Sequence, residues 1–197
     1  MTVHPIEVES YAIMRGRVDF SAWTGDDRAV VERMVHATAD ETFATSARVG
    51  TEAVARARDA LRAGAPVVVD AAMVAAGITR RATECFLSDV PVAPDGTTRS
   101  AAAVRVAAER HPAGAVWVFG NAPTALFALL ELHGEGRVDP AAVIGLPVGY
   151  VGAADAKATL WASPLAARAI TNVGQRGGSA VAAAAVNALV RLDERIS

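Results

Sequence analysis

The segment Ala115-Val116-Trp117-Val118-Phe119-Gly120-Asn121-Ala122-Pro123-Thr124-Ala125-Leu126-Phe127 changes character twice. Val116 to Phe119 is an unbroken apolar run of β-branched and aromatic residues, the pattern of a strand covered on both faces. Gly120-Asn121 follows at once, where the backbone must turn. Pro123 then fits the first turn of a helix, because its missing N–H would have no partner there. That helix carries Leu126, Phe127, Leu129, Leu130 and Leu132 and closes at Gly134. A buried strand, a small-residue loop and a helix N-terminus form the ligand-facing crevice of open α/β sheets.

The same grammar recurs. Val67-Val68-Val69 runs into Asp70 and a short helical stretch to Gly77. The apolar run 84–87 reads as another strand. The strand over 142–144 runs into Gly145-Leu146-Pro147-Val148-Gly149. The strand over 169–171 runs into the loop 172–178 and a long apolar helix from Ser179 to Val190. About five strands, nearly all separated by helices, predict a doubly wound, mainly parallel sheet with helices on both faces. With 197 residues and no dividing linker, one domain over 1–197 is expected.

The remaining segments read as helices around that sheet. Residues 6–14 form a mixed apolar and acidic helix that Arg15-Gly16-Arg17 is expected to end. Ser10 then reads as part of a surface arm. Thr24-Gly25-Asp26-Asp27 starts a helix that runs to about Thr42. Its apolar stripe is Val30, Val31, Met34, Val35 and Thr38. His36 falls nearly opposite that stripe, on a face with Ala29, Arg33 and Asp40. It is therefore either solvated or turned toward a ligand or a second subunit. Another helix runs from Thr51-Glu52 to Gly64, with Arg56, Arg58 and Arg62 on a solvated face. Thr97-Thr98-Arg99-Ser100 opens a helix that ends near His111-Pro112. Its hydroxyls and Arg99 can hold a carboxylate, and capping explains the hydroxyls equally well. Lys157, on the helix after Gly152, is expected to face water. The last helix is apolar almost all round, so it is internal or lies at an oligomer interface.

Composition narrows the class. Hydrophobic residues make up 52%, which favours close helix–sheet packing and a large subunit interface. A net charge of -2 shows no basic excess for nucleic acid. Cys85 has no partner for a disulfide, and with four scattered histidines it gives no zinc spacing. It lies in an apolar run and reads as a buried structural thiol. No membrane-length apolar run or signal peptide is present, so a soluble cytoplasmic protein is expected. The phosphate-binding G-x-x-x-x-G-K-[ST], the dinucleotide G-x-G-x-x-G and the G-x-S-x-G elbow are all missing. The loops are rich in Gly, Asn, Ser and Thr, with arginines near strand ends and one histidine off the core stripe. Such a set suits a large polycarboxylated ligand.

Several stretches carry a more specific likeness. They are Ile6-Glu7-Val8-Glu9-Ser10-Tyr11-Ala12-Ile13-Met14-Arg15, Arg33-Met34-Val35-His36-Ala37, Asp70-Ala71-Ala72-Met73-Val74-Ala75-Ala76-Gly77-Ile78, Thr98-Arg99-Ser100-Ala101-Ala102, Gly120-Asn121-Ala122-Pro123-Thr124-Ala125-Leu126, Gly145-Leu146-Pro147-Val148-Gly149-Tyr150-Val151-Gly152-Ala153-Ala154 and Gly177-Gly178-Ser179-Ala180. In this order the chain resembles the precorrin-8X methylmutase family. The resemblance implies an α/β fold and a homodimer with a site shared at the subunit interface. It implies migration of a methyl group from C-11 to C-12 of a corrinoid tetrapyrrole, with or without cobalt. His36 maps to the family's catalytic histidine and Ser10 to a substrate contact. Arg15, Arg80, Arg99, Ser100, Asn121, Thr124 and Gly149 are expected to line the substrate. Ala72 and Ala76 stand where larger polar residues are expected in many relatives. A sigmatropic methyl shift needs no redox cofactor, metal or nucleophile, and protonation of the macrocycle by an imidazolium would help it.

Overall fold

The strands bury their two faces in two separate cores, and this alternation organises the chain. The computed structural model describes residues 4–194, and the outermost residues of the expected 1–197 domain lie outside them. Helices α1 (Pro5–Arg17), α2 (Gly25–Thr38) and the short α3 (Phe43–Ser46) come first. Strand β1 (Ala47–Val49) and helix α4 (Ala53–Arg62) follow. Then come β2 (Val67–Val69), α5 (Ala72–Gly77), β3 (Glu84–Cys85), α6 (Arg99–Arg110), β4 (Val116–Phe119) and α7 (Pro123–Gly134). The chain ends with β5 (Ala142–Gly145), α8 (Ala153–Ala162), β6 (Ala169–Asn172) and α9 (Ser179–Glu194).

The six strands form one sheet in the order β1-β6-β5-β4-β2-β3. All neighbours are parallel except β1, which pairs antiparallel with β6 through Ala47–Asn172 and Val49–Ile170. Successive side chains on a strand point to opposite faces. Val67, Val69, Val116, Val118, Ala142, Ile144 and Ile170 accordingly face a core built with α2, α4 and α9. Val68, Trp117, Phe119, Val143 and Ala169 face a second core built with α6, α7 and α8. Helix α9 lies inside the first core, buried from Val181 to Val190, which answers its all-round apolar composition.

Five expectations need correction. The sheet has six strands because a three-residue antiparallel edge, β1, joins the five anticipated ones. The strand over 84–87 stops at Cys85 and becomes a 3₁₀ turn over Phe86–Asp89. There Phe86 turns into the second core, while Arg99 takes the Leu87 and Val90 carbonyls at 2.9 and 2.8 Å. Helix α1 continues past Met14 and through Gly16 to Arg17, and Ser10 lies within it rather than on an arm. Helix α2 ends at Thr38 rather than Thr42, because Ala39 adopts a left-handed φ of 51°. Cys85 is half-buried against the first core.

One contact joins two βα units. Asp70, at the end of β2, is buried, and its carboxylate accepts from the amides of Gly120, Asn121 and Ala122 at 3.0, 2.8 and 2.7 Å. These are the amides of the turn just before α7, so the carboxylate fixes the approach to the helix rather than capping its first turn. Burial pushes the Asp70 carboxyl above its ordinary range, and the three amides work against that. Hydrogen bonds to a charged group contribute about 1.5–3 kcal/mol each. Asp70→Asn turns one acceptor oxygen into a donor that faces amides. The variant is expected to lose at least about 1.5–3 kcal/mol of stability, read by urea denaturation. An unchanged midpoint would show that the carboxylate does not hold this turn.

Candidate active site

Helix α2 carries Asp26 and Asp27 in its first turn and His36 in its last, as the helix dipole favours. Val30, Val31, Met34 and Val35 are buried in the core, and His36 stands off that stripe, half-buried. Its ring stacks on Tyr11 of α1, with centroids 4.3 Å apart and planes 5° from parallel. Arg33 Nη1 lies 3.4 Å from His36 Nδ1. A guanidinium can only donate, so Nδ1 accepts, and the neutral ring carries its proton on Nε2. Nε2 is buried and has no hydrogen-bond partner. Burial first, then the charge of Arg33, holds the ring below the ordinary imidazole pKa, and Glu7 opposes them.

Charged residues surround this pair. Glu7 Oε1 accepts from Arg191 Nη1 at 2.6 Å and lies 3.5 Å from Arg33 Nη1. The Arg191 hydrogen bond, above all, holds the Glu7 carboxyl low. The Arg15 guanidinium lies over the Tyr11 ring, 5.2 Å from its centre. Arg15 also grips Glu32 of α2 at 2.5 Å, and Arg28 takes the other oxygen at 2.8 Å. Burial would push Glu32 up, but the two guanidiniums outweigh it and hold the carboxyl low.

A second region lies at the C-terminal ends of the parallel strands. Gly149 N donates to Gln175 O at 3.2 Å, and Gly178 N to Leu146 O at 2.9 Å. Gly177 sits so close beneath that loop that a Cβ would come 2.4 Å from the Leu146 and Pro147 carbonyls. Lys157 does not face water as expected: it is 1% exposed. Its Nζ donates to Asn172 Oδ1 at 3.0 Å and to the Arg176 carbonyl. It shares a buried face of α8 with Ala153, Ala156 and Leu160, a helical spacing that overrides its charge. Burial lowers its pKa to about 8. The Arg176 side chain in turn pairs with Asp40, just beyond α2, and so ties the crevice loop to the histidine helix.

The anticipated ligand residues fall into two groups. Ser10, Arg15 and His36 lie on the α1–α2 side. Arg99, Ser100, Asn121 and Thr124 gather at the starts of α6 and α7, which pack on the opposite sheet face. There the Thr124 hydroxyl meets that of Thr98 at 2.8 Å, beside an open cleft of about 770 Å³. The Asn121 amide is held by Asp70, and its side chain is exposed. Gly149, with a φ of 148°, belongs to the crevice loops. Arg80 is half-buried between α5 and β3, and Ala72 and Ala76 are exposed on α5. Sequence reasoning did not single out Glu7, Tyr11, Arg33 or Arg191 as site residues. The signal for one contact was helical spacing, three residues from Arg33 to His36.

A protein-family model described as precorrin-8X methylmutase matches residues 5–192. A precorrin-8X methylmutase from Sinorhizobium sp is 42% identical over 92% of this chain and 91% of its own. A cobalt-precorrin-8 methylmutase from Salmonella typhimurium is 37% identical over 94% and 93%. The crystal structure of a precorrin-8X methylmutase from Thermus thermophilus superposes with a TM-score of 0.86 at 35% identity, covering 96% of each chain. Fold and matches together define a methyl-shifting isomerase on a mainly parallel α/β sheet. The chain belongs to the precorrin-8X methylmutase family.

The buried lysine has a measurable consequence. Folded Lys157 loses its proton near pH 8, and an unfolded lysine near 10.5. Between those values the unfolded chain binds more protons, so this group's contribution to stability rises with pH. Wild type is therefore expected to gain on Lys157→Met from about pH 8 to 10.5, read by urea denaturation across that range. A stability difference that stays flat over this window would contradict a buried ammonium held only by neutral acceptors.

Proposed function

We propose that the protein moves a methyl group from C-11 to C-12 of precorrin-8X, or of cobalt-precorrin-8, with His36 as the proton donor. Hydrogenobyrinate or its cobalt-containing counterpart is the product. The observation that carries the proton role is the His36 ring itself. One nitrogen is turned to Arg33, and the other, Nε2, is buried and unpartnered. A proton lent to the conjugated macrocycle from Nε2 of the imidazolium form, which keeps its second proton on Nδ1, lowers the barrier to migration. The methyl–C-11 bond then breaks as the methyl–C-12 bond forms, and the proton returns to the ring. Nothing is oxidised or reduced.

Ser10, Arg15, Arg80, Arg99, Ser100, Asn121, Thr124 and Gly149 are the substrate contacts of this reading. Arg15 and Arg99 also have structural work, on Glu32 and on the Leu87 and Val90 carbonyls. Two features support a homodimer with a shared site. The expected contacts divide between opposite faces of one chain's sheet, which a second subunit can reunite. Tyr150 and Val151 are 91% and 90% exposed in the crevice loops, and Ile6, Val8 and Ile13 stand out from α1. Apolar patches of this kind mark interaction sites. The cytoplasm is the proposed compartment, and no helix among the described residues is long and apolar enough to cross a membrane.

His36→Ala is expected to keep the fold, because the ring lies outside the apolar core, and to lower kcat by roughly 10²–10⁴-fold. Near-normal turnover of precorrin-8X, followed by absorbance, would remove His36 from the mechanism. Sedimentation at micromolar concentration is expected to give a dimer, whose obligate interface should bury more than ~2,000 Å². A stable, fully active monomer would refute the shared site.

A further inference from the structure

A cavity of about 50 Å³ lies between α1, α2 and α9, lined by Tyr11, Ala29, Arg33, Ala188, Arg191 and Leu192. Two of these residues, Tyr11 and Arg33, also touch His36. The charged part of the lining is cationic. Glu7 is the carboxylate paired with both arginines, and both contacts run to the same oxygen, Oε1. Two guanidiniums carry ten N–H donors, far more than one carboxylate can accept. Arg33 Nε is buried and has no hydrogen-bond partner. The cluster therefore holds one positive charge beyond its carboxylate and at least one unsatisfied donor. An uncompensated cation is costly in a partly desolvated place, and an anion relieves that cost. The space admits a carboxylate group or a few waters.

We propose that Arg33 and Arg191 form a binding site for one carboxylate group of the substrate, seated in this cavity beside Tyr11 and His36. The identity of the substrate rests on the corrinoid reading above, while the anion chemistry does not. A guanidinium pair suits a carboxylate because its N–H groups form a fork that two oxygens can meet.

Occupancy has a consequence for the histidine. The charged and titratable groups that face His36 are Glu7 and Tyr11 from α1, Arg33 from its own helix, and Arg191 from α9. The two arginines disfavour the imidazolium, and Glu7 favours it. A second carboxylate would join Glu7 in that balance. It would also draw Arg33 away from Nδ1, which then becomes free to take a proton. The ring would thus be neutral in the free protein and more readily protonated once the carboxylate is seated.

The test reads the His36 ring by NMR in histidine-labelled protein. Sodium propionate is added at constant ionic strength, with propionamide as the neutral control. Propionate is expected to raise the pH midpoint of His36 in wild type, and propionamide to leave it unchanged. Arg33→Gln and Arg191→Gln should each abolish the response and raise the midpoint of the free protein. Hydrogenobyrinic acid, titrated by absorbance, should bind Arg191→Gln more than about tenfold more weakly than wild type. Propionate without effect on wild-type His36 would overturn the site, and so would equal binding of hydrogenobyrinic acid to wild type and Arg191→Gln. If propionate moves His36 but hydrogenobyrinic acid binds neither protein, the anion site stands and the corrinoid reading fails.

Discussion

The carboxylate of Asp70 is the contact on which the arrangement of loops depends. It follows one strand and holds the three amides of the turn between another strand and its helix. In many open α/β sheets such amides face a ligand's phosphate or carboxylate. Here an internal carboxylate occupies them, so the glycine-rich turn after β4 is a structural joint. Gly120 makes the joint possible, because a Cβ there would come within 3 Å of Val74, Ala182 and Ser179. The amides of this turn are thus already taken, and what the turn leaves exposed is the Asn121 side chain.

The histidine site follows a different logic. A core histidine is satisfied on both nitrogens, and a solvated one needs no partners. His36 is neither: it is stacked on Tyr11, held at Nδ1 by Arg33, and unsatisfied at Nε2. Such a buried donor is costly to leave unpaired, so its persistence argues for a partner that arrives with the ligand. The surplus of guanidinium charge nearby points the same way. On the proposal above, a seated carboxylate leaves the ring protonated more often with the ligand present than without it.

Much of this was legible in the chain, and the failures have physical causes. The four inner parallel strands announced themselves because burial on both faces demands continuous apolar runs. The edge strand β1 did not, since three residues of Ala-Arg-Val carry no period and are defined by pairing with β6. The end of α2 was misplaced because it rests on an alanine in a left-handed conformation, for which sequence offers no cue. The off-stripe position of His36 could be read from helical spacing alone. Its stack on Tyr11 and the charge of Arg191 beside it could not, because they come from helices far apart in sequence. The resemblance supplied the histidine's role, and only the folded chain brings Arg33 and Arg191 to one cavity.

Lys157 shows how the two regions are mechanically joined. A buried ammonium with neutral partners costs more than a leucine of similar reach would, and burial has lowered its pKa accordingly. What it holds is main chain: the Arg176 carbonyl, shared with the Asn172 amide group at 3.0 Å. Fixing that carbonyl fixes the direction in which the Arg176 side chain leaves the loop, and the side chain ends on Asp40 beyond the histidine helix. A leucine could fill the same volume, but it could not orient a carbonyl. The charge is therefore best understood as a positional constraint: it sets the crevice loop relative to α2.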